Sequence, residues 1–187
     1  PHPRTALFLD NLADTYAESG RQAKADSTYR GTLAMMETVH TPPHVRMAHT
    51  LRAYGDLLLR MGQGDAAAAR AEQSLDILDA LASTRPNERQ STLLVLARIR
   101  EHNGKHEAAD SLARAVLQQA RSGPDPSTGH VAQALDVRGT LAHRQGHSTR
   151  ADSLYAAALQ VYQEAEDERG RAAVVRLHWG AMRTEQA

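Results

Sequence analysis

The 187-residue sequence contains no cysteine. That absence removes disulfides, thiolate metal ligands and cysteine nucleophiles together, and it fits a reducing compartment. Aromatic residues make up only 4% of the chain, with a single Trp and a single Phe. A core therefore has to be assembled from small residues and Leu in closely packed helices. No apolar run approaches the ~18 residues needed to cross a bilayer. The 22 basic residues are matched by 22 acidic ones, so no bulk electrostatic attraction to nucleic acid or membrane arises. Lysine is scarce as well, standing only at Lys24 and Lys105. Arginine suits bidentate carboxylate contacts, and a GC-rich genome gives the same bias. The N-terminus, Pro1-His2-Pro3-Arg4, has neither an initiator Met nor a signal-peptide core, and reads as part of an excised fragment of a cytoplasmic protein.

What the sequence does have is a repeat. Gly20, Gly62, Gly104 and Gly146 are spaced 42 residues apart. Ala25, Ala67, Ala109 and Ala151 follow them in phase, and Leu9, Leu51, Leu93 and Leu135 precede them. Leu177 continues the leucine series, and Leu33, Leu75, Leu117 and Leu159 form another complete column. Self-similarity at a fixed period of this length is the signature of a stacked helical repeat.

Each column has a physical reading. Before every Gly, apolar residues recur at helical spacing, as at Leu9, Leu12, Ala13 and Tyr16; after it a second set begins, as at Ala25, Tyr29, Leu33 and Met36. The Gly ends one helix and turns the chain into the next. Asp26, Asp65, Glu107 and Asp152 are expected in the first turn of each second helix, at the positive end of its dipole. Ala13, Gly55, Ala97 and Gly139 keep each first helix narrow enough for its partner to approach. Pro-rich or polar stretches join the hairpins. The pattern predicts an all-α solenoid of antiparallel hairpins with helices over 4–19, 22–39, 44–61, 65–82, 87–102, 105–121, 127–145, 148–166 and 168–184. It is expected to form one array, with repeats at about 4–43, 44–85, 86–126 and 127–167. Residues 168–187 then form a C-terminal capping helix or a truncated fifth repeat, whose Val174, Val175 and Trp179 offer an alternative role in self-association.

The series Leu9, Leu12-Ala13, Tyr16, Gly20, Ala25 and Tyr29 resembles the tetratricopeptide repeat. The 42-residue length and the Leu9-Asp10-Asn11-Leu12-Ala13 core are similar to the kinesin-light-chain type, and in bacteria such arrays are often fused to kinase or regulatory domains. The resemblance implies a right-handed superhelix whose first helices line a concave, peptide-binding groove. Carried over position by position, it places Asp10, Asn11, Asp14 and Glu18 in that groove from the first repeat, and Arg52, Asp56 and Arg60 from the second. Val95, Arg98 and His102 follow from the third, Asp136, Val137, Thr140 and Arg144 from the fourth, and His178 and Trp179 from the last helix. The groove asparagine of the subfamily is present only as Asn11, being replaced by Ala53, Val95, Val137 and Trp179. Arg60 and Arg144 stand in last turns, where the helix dipole accounts for them; Arg52 and Arg98 stand mid-helix, and a peptide carboxylate is expected beside them.

Catalytic readings are weaker. His106-Glu-Ala-Ala-Asp110 has Asp where a helical zinc-protease motif needs its second His. Gly62-Gln-Gly-Asp-Ala-Ala67 imitates a dinucleotide loop without the strand such a site requires. The pairs His102/His106 and His143/His147 bracket a turn rather than sharing one helix face. The expectation is a protein- or peptide-binding module, or else a ligand-sensing domain controlling a fused output domain. No enzyme activity, cofactor, nucleic acid or membrane partner is expected.

Overall fold

The computed structural model describes residues 2–39, 44–81, 85–122, 127–164 and 171–185. Among these lie nine α-helices: α1 (Pro3–Glu18), α2 (Gln22–Val39), α3 (Val45–Arg60), α4 (Gly64–Ala80), α5 (Pro86–His102), α6 (His106–Ser122), α7 (Thr128–Arg144), α8 (Ser148–Glu164) and α9 (Arg171–Glu185). The fold is the all-α solenoid that the periodicity predicts.

The helix ends explain why the register is so regular. All four in-phase glycines have φ between 73 and 76°, a left-handed conformation that costs glycine little. The amide of Gly20 donates to the Ala17 carbonyl at 3.3 Å and the amide of Arg21 to the Tyr16 carbonyl at 2.9 Å. The same two-bond closure recurs at Gly62, Gly104 and Gly146, so each first helix ends with its last carbonyls satisfied. Helix starts repeat too. His2 and His44, again 42 apart, each accept a bond at Nδ1, from the amides of Arg4 and Arg46 at 3.1 and 3.2 Å.

The chain falls into two compact units, residues 1–99 and 100–187. In the first, α1 packs on α2 and α3 on α4, with Ala13, Ala25, Tyr29, Met36, Leu57, Ala67 and Ala71 buried between them. Gly55 makes the α3–α4 approach possible, since a Cβ there would stand 3.1 Å from the carbonyl oxygen of Ala67. In the second unit α7 lies between α6 and α8, and α9 packs on α8. Ala109, Ala113, Val116, Ala134, Leu141, Ala151 and Tyr155 form its interior. A Cβ on Gly139 would meet the ring of Tyr155 at 2.8–3.1 Å. Both glycines are where they are because a second helix sits on them.

Successive hairpins are joined by a polar pair 28 residues apart. Tyr54 on α3 donates to Asp26 on α2 at 2.6 Å, and Arg138 on α7 donates to Asp110 on α6 at 2.9 Å. The corresponding residues of the intervening repeat are Ala68 and Leu96, both buried and apolar. Asp26 and Asp152 therefore differ from the dipole-compensating role expected of them. They lie just beyond the first turns of α2 and α8, which carry no acidic residue, and serve as acceptors for the next helix. Asp65 and Glu107 do occupy first turns. A second pairing, 18 residues apart, joins Ser74 and Thr92 at 3.3 Å and is replaced by Val116 and Ala134 in the second unit.

Candidate functional site

Within the first unit, α1, α3 and α5 set their inner faces around an open cleft of about 350 Å³. Asp14 and Glu18 come from α1, His49, Arg52, Asp56 and Arg60 from α3, and Val95 and Arg98 from α5; Tyr29 of α2 closes the floor. These are residues one or two helical turns apart on each first helix, brought side by side because the hairpins stack in register.

The charges in the cleft are not equivalent. Arg98 reaches back one repeat to Asp56, with its guanidinium 2.6 Å from the carboxylate, so the carboxylate expected beside it is supplied by the protein. Arg60 pairs with the same Asp56 at 3.5 Å and donates to the Ala17 carbonyl at 3.3 Å, near the end of α1. Asp14 accepts from the Tyr29 hydroxyl at 2.5 Å, and burial together with this bond pushes the phenol pKa far above its usual value. Arg52 differs from all of these. It is half-buried and makes no hydrogen bond or ion pair to a described residue. Burial lowers its pKa, while Asp56 and Asp14 at longer range act in the opposite sense. A guanidinium remains charged under such a shift. Partial burial and the neighbouring Arg52 push the His49 imidazole down, leaving it neutral at pH 7.

The remaining residues expected in the groove are placed as follows. Asn11 is exposed, with its carbonyl accepting from Thr15. Asp10 is only 1% exposed and points between helices, where Thr50 donates to it at 2.7 Å and Arg46 lies at 3.4 Å. It is an interior group that ties α1 to α3 and does not face solvent. In the second unit Val137 is buried, and Asp136 is nearly so, with His178 Nδ1 2.9 Å from its carboxylate. Thr140 accepts from the Tyr155 hydroxyl at 3.2 Å, and Arg144 lies 2.5 Å from Glu101. Trp179 donates its indole N–H to Asp152 at 2.5 Å, and His102 is exposed. Sequence reasoning missed His49 and Tyr29 as cleft residues. His49 stands one turn before Arg52 on the same face, a spacing that could have revealed it.

Residues 4–80 match the tetratricopeptide repeat family. The matched segment holds the first two of the 42-residue repeats. Solved structures that share the fold extend the likeness beyond the matched segment. A Rap protein complexed with Competence and Sporulation Factor superposes with a TM-score of 0.84 at 15% identity, over 97% of this chain and 49% of that one. The chain thus spans about half the length of that structure. BtubC (BKLC) from P. vanneervenii gives 0.72 at 21% identity over 93% of this chain and 70% of its own. A Podosopora anserina protein described as a kinesin light chain with nearly identical TPR-like repeats gives 0.70 at 16%, over 97% and 86%. No curated protein matches the sequence. No described helix is long and apolar enough to cross a membrane, and among the described residues no three His, Asp or Glu side chains group as metal ligands.

Proposed function

We propose that this tetratricopeptide array is a protein-interaction module that holds an acidic segment of a partner in the groove of its first helices, with Arg52 as the anchor. One observation carries the reading: Arg52 is a half-buried cation that faces the cleft with no hydrogen-bonded counter-ion among the described residues. Removing a guanidinium from water without pairing it is unfavourable. A carboxylate arriving from outside would satisfy it through the bidentate geometry arginine favours. The balanced charge of the chain as a whole argues for a protein partner over a nucleic acid.

The test is a screen of fluorescent acidic peptides by polarisation, followed by Arg52→Glu combined with Arg98→Glu. The double substitution should abolish binding of any peptide found and leave the helical circular dichroism intact. Unchanged affinity would remove the groove assignment. Arg52→Glu alone should account for most of the loss, because Arg98 already holds Asp56.

A second reading has one observation in its favour: the Rap protein that shares the fold was solved in complex with Competence and Sporulation Factor. By analogy the groove would sense a signalling ligand and control an output domain fused to it. A thermal-shift screen against small ligands and short peptides separates the two, since sensing predicts a stabiliser that acts without a protein partner.

A further inference from the structure

Three polar positions close the junction of α1 with α3, and they recur one repeat later, where α3 meets α5, with their charges exchanged. Asp10, Arg46 and Thr50 become Arg52, Glu88 and Thr92, each 42 residues on. In the first junction the three close on one another: Thr50 donates to Asp10 at 2.7 Å, and Arg46 lies 3.4 Å from the same carboxylate. Met36, wholly buried, packs against them with its sulfur 3.7 Å from the Thr50 hydroxyl.

The second junction stays open. The Thr92 hydroxyl donates to the Glu88 carbonyl at 3.0 Å and lies 3.3 Å from the Ser74 hydroxyl of α4. The Glu88 carboxylate sits 3.4 Å from Arg85, and Arg52 pairs with neither Glu88 nor Thr92. The surrounding side chains are shorter too: Leu78 stands at the position of Met36, and Ser91 at that of His49. What remains is a half-enclosed cavity of about 140 Å³ with Ala48 and Leu78 as its apolar lining. Arg52 and Glu88 both stand in its wall, together with Asn87 and Ser91. The cavity adjoins the groove cleft and shares His49 and Arg52 with it.

We propose that this cavity binds a small free α-amino acid, its carboxylate on Arg52 and its ammonium on Glu88. A half-buried guanidinium without a counter-ion calls for an anion, and a carboxylate in the same wall calls for a cation. A zwitterion answers both within one small molecule. A simple acid or a simple amine leaves one of the two wall charges unanswered, so the pair selects against each. The volume equals roughly four or five waters, which limits the ligand to a short side chain, and Ala48 and Leu78 suit an apolar one. The inference rests on the reading of Arg52 as a carboxylate anchor and adds a regulator to it. An amino acid seated there takes the guanidinium that a partner's acidic segment would use.

The closing experiment titrates L-alanine, L-serine and L-valine into the isotope-labelled chain and follows its amide chemical shifts. At least one should give saturable shifts centred on α3 and α5 around Ala48 and Ser91. Propionate, which lacks the ammonium, and ethylamine, which lacks the carboxylate, should bind at least about tenfold more weakly than alanine. This comparison needs no variant. Glu88→Gln and Arg52→Gln should each weaken amino-acid binding by at least about tenfold, and Ser91→Phe should abolish it by filling the cavity. Glu88→Gln should leave intact the binding of any acidic peptide held in the groove, because Glu88 does not line that cleft. A failure of the groove reading and a failure of this one are thereby read separately. No saturable shift with any of the three amino acids overturns the proposal. Propionate binding as tightly as alanine, or an affinity indifferent to Glu88→Gln, overturns it as well.

Discussion

Asp10 in the first unit and Asp110 in the second are both withdrawn from water, yet their carboxyl groups shift in opposite directions. Asp10 is almost wholly buried, and burial raises its pKa; the Thr50 hydroxyl and the more distant Arg46 only partly offset this. At Asp110 burial again acts to raise the pKa, but hydrogen bonds from Arg138 and Arg114 overcome it and hold the carboxyl below its usual value. The difference lies in the partner. A neutral hydroxyl at 2.7 Å orients a charge without neutralising it, whereas two guanidinium groups within 3 Å do both. The lesson is that one solenoid tolerates an interior carboxylate in two ways, as a liability and as a fastener.

That contrast can be broken most directly at Arg138. Arg138→Met should lower unfolding free energy at pH 7 by about 2–3 kcal/mol, because it strips a part-buried carboxylate of the less exposed of its two cations; urea denaturation reads the loss. A cost below about 0.5 kcal/mol would make Asp110 no fastener at all.

Asp10→Asn should have the opposite sign, raising stability at pH 7 by about 1 kcal/mol, since the amide oxygen can still accept from Thr50 and no charge is buried. The pH dependence sharpens the same point. A raised folded-state pKa means that Asp10 opposes folding once it ionises, so its penalty should fade as pH falls through that raised value. The depressed pKa of Asp110 means stability present above the ordinary carboxylate range and lost as pH falls through the folded-state value. Acid titrations of Asp10→Asn and Asp110→Asn should therefore deviate from the parent in opposite directions. The smallest effect is expected at Arg114, which is exposed and one turn from Asp110 on the same helix. Arg114→Ala should cost no more than about 0.5 kcal/mol.

Much of this architecture was legible in the sequence, and the reason is mechanical. A positive-φ glycine at a fixed interval dictates where every first helix must stop, so the spacing of Gly20, Gly62, Gly104 and Gly146 locates the helices to within about three residues. The site was less legible. Register assigns a residue to a face, and it placed Asp14, Arg52, Asp56, Arg60, Val95 and Arg98 on one cleft. It gave no hint that long side chains would reach back a whole repeat, as Arg98 does to Asp56 and Arg144 to Glu101. Nor could it separate Asp10 from Asp14, four residues apart on α1, although Asp10 turns toward Thr50 and Asp14 meets the Tyr29 hydroxyl at the edge of the cleft. Nor did the period show that α9 packs one residue out of register, with Trp179 bonded to Asp152 across 27 residues instead of 28, because a leucine stands at 177 where the period asks for one, and it is exposed.

The pairs set 28 residues apart have a consequence for how such a chain can be rearranged over generations. Asp26 meets Tyr54 and Asp110 meets Arg138, while Ala68 and Leu96 are apolar together. Copying a 42-residue block leaves every hairpin intact, but it sets the acceptor of one block against the donor of another. A graft that placed Arg138 over Ala68 would bury a guanidinium against a methyl group, and one that placed Leu96 over Asp26 would deprive the carboxylate of the donor it has in Tyr54. The blocks look interchangeable and their borders are not, so recombination within the array should favour exchanges that move both members of a pair together.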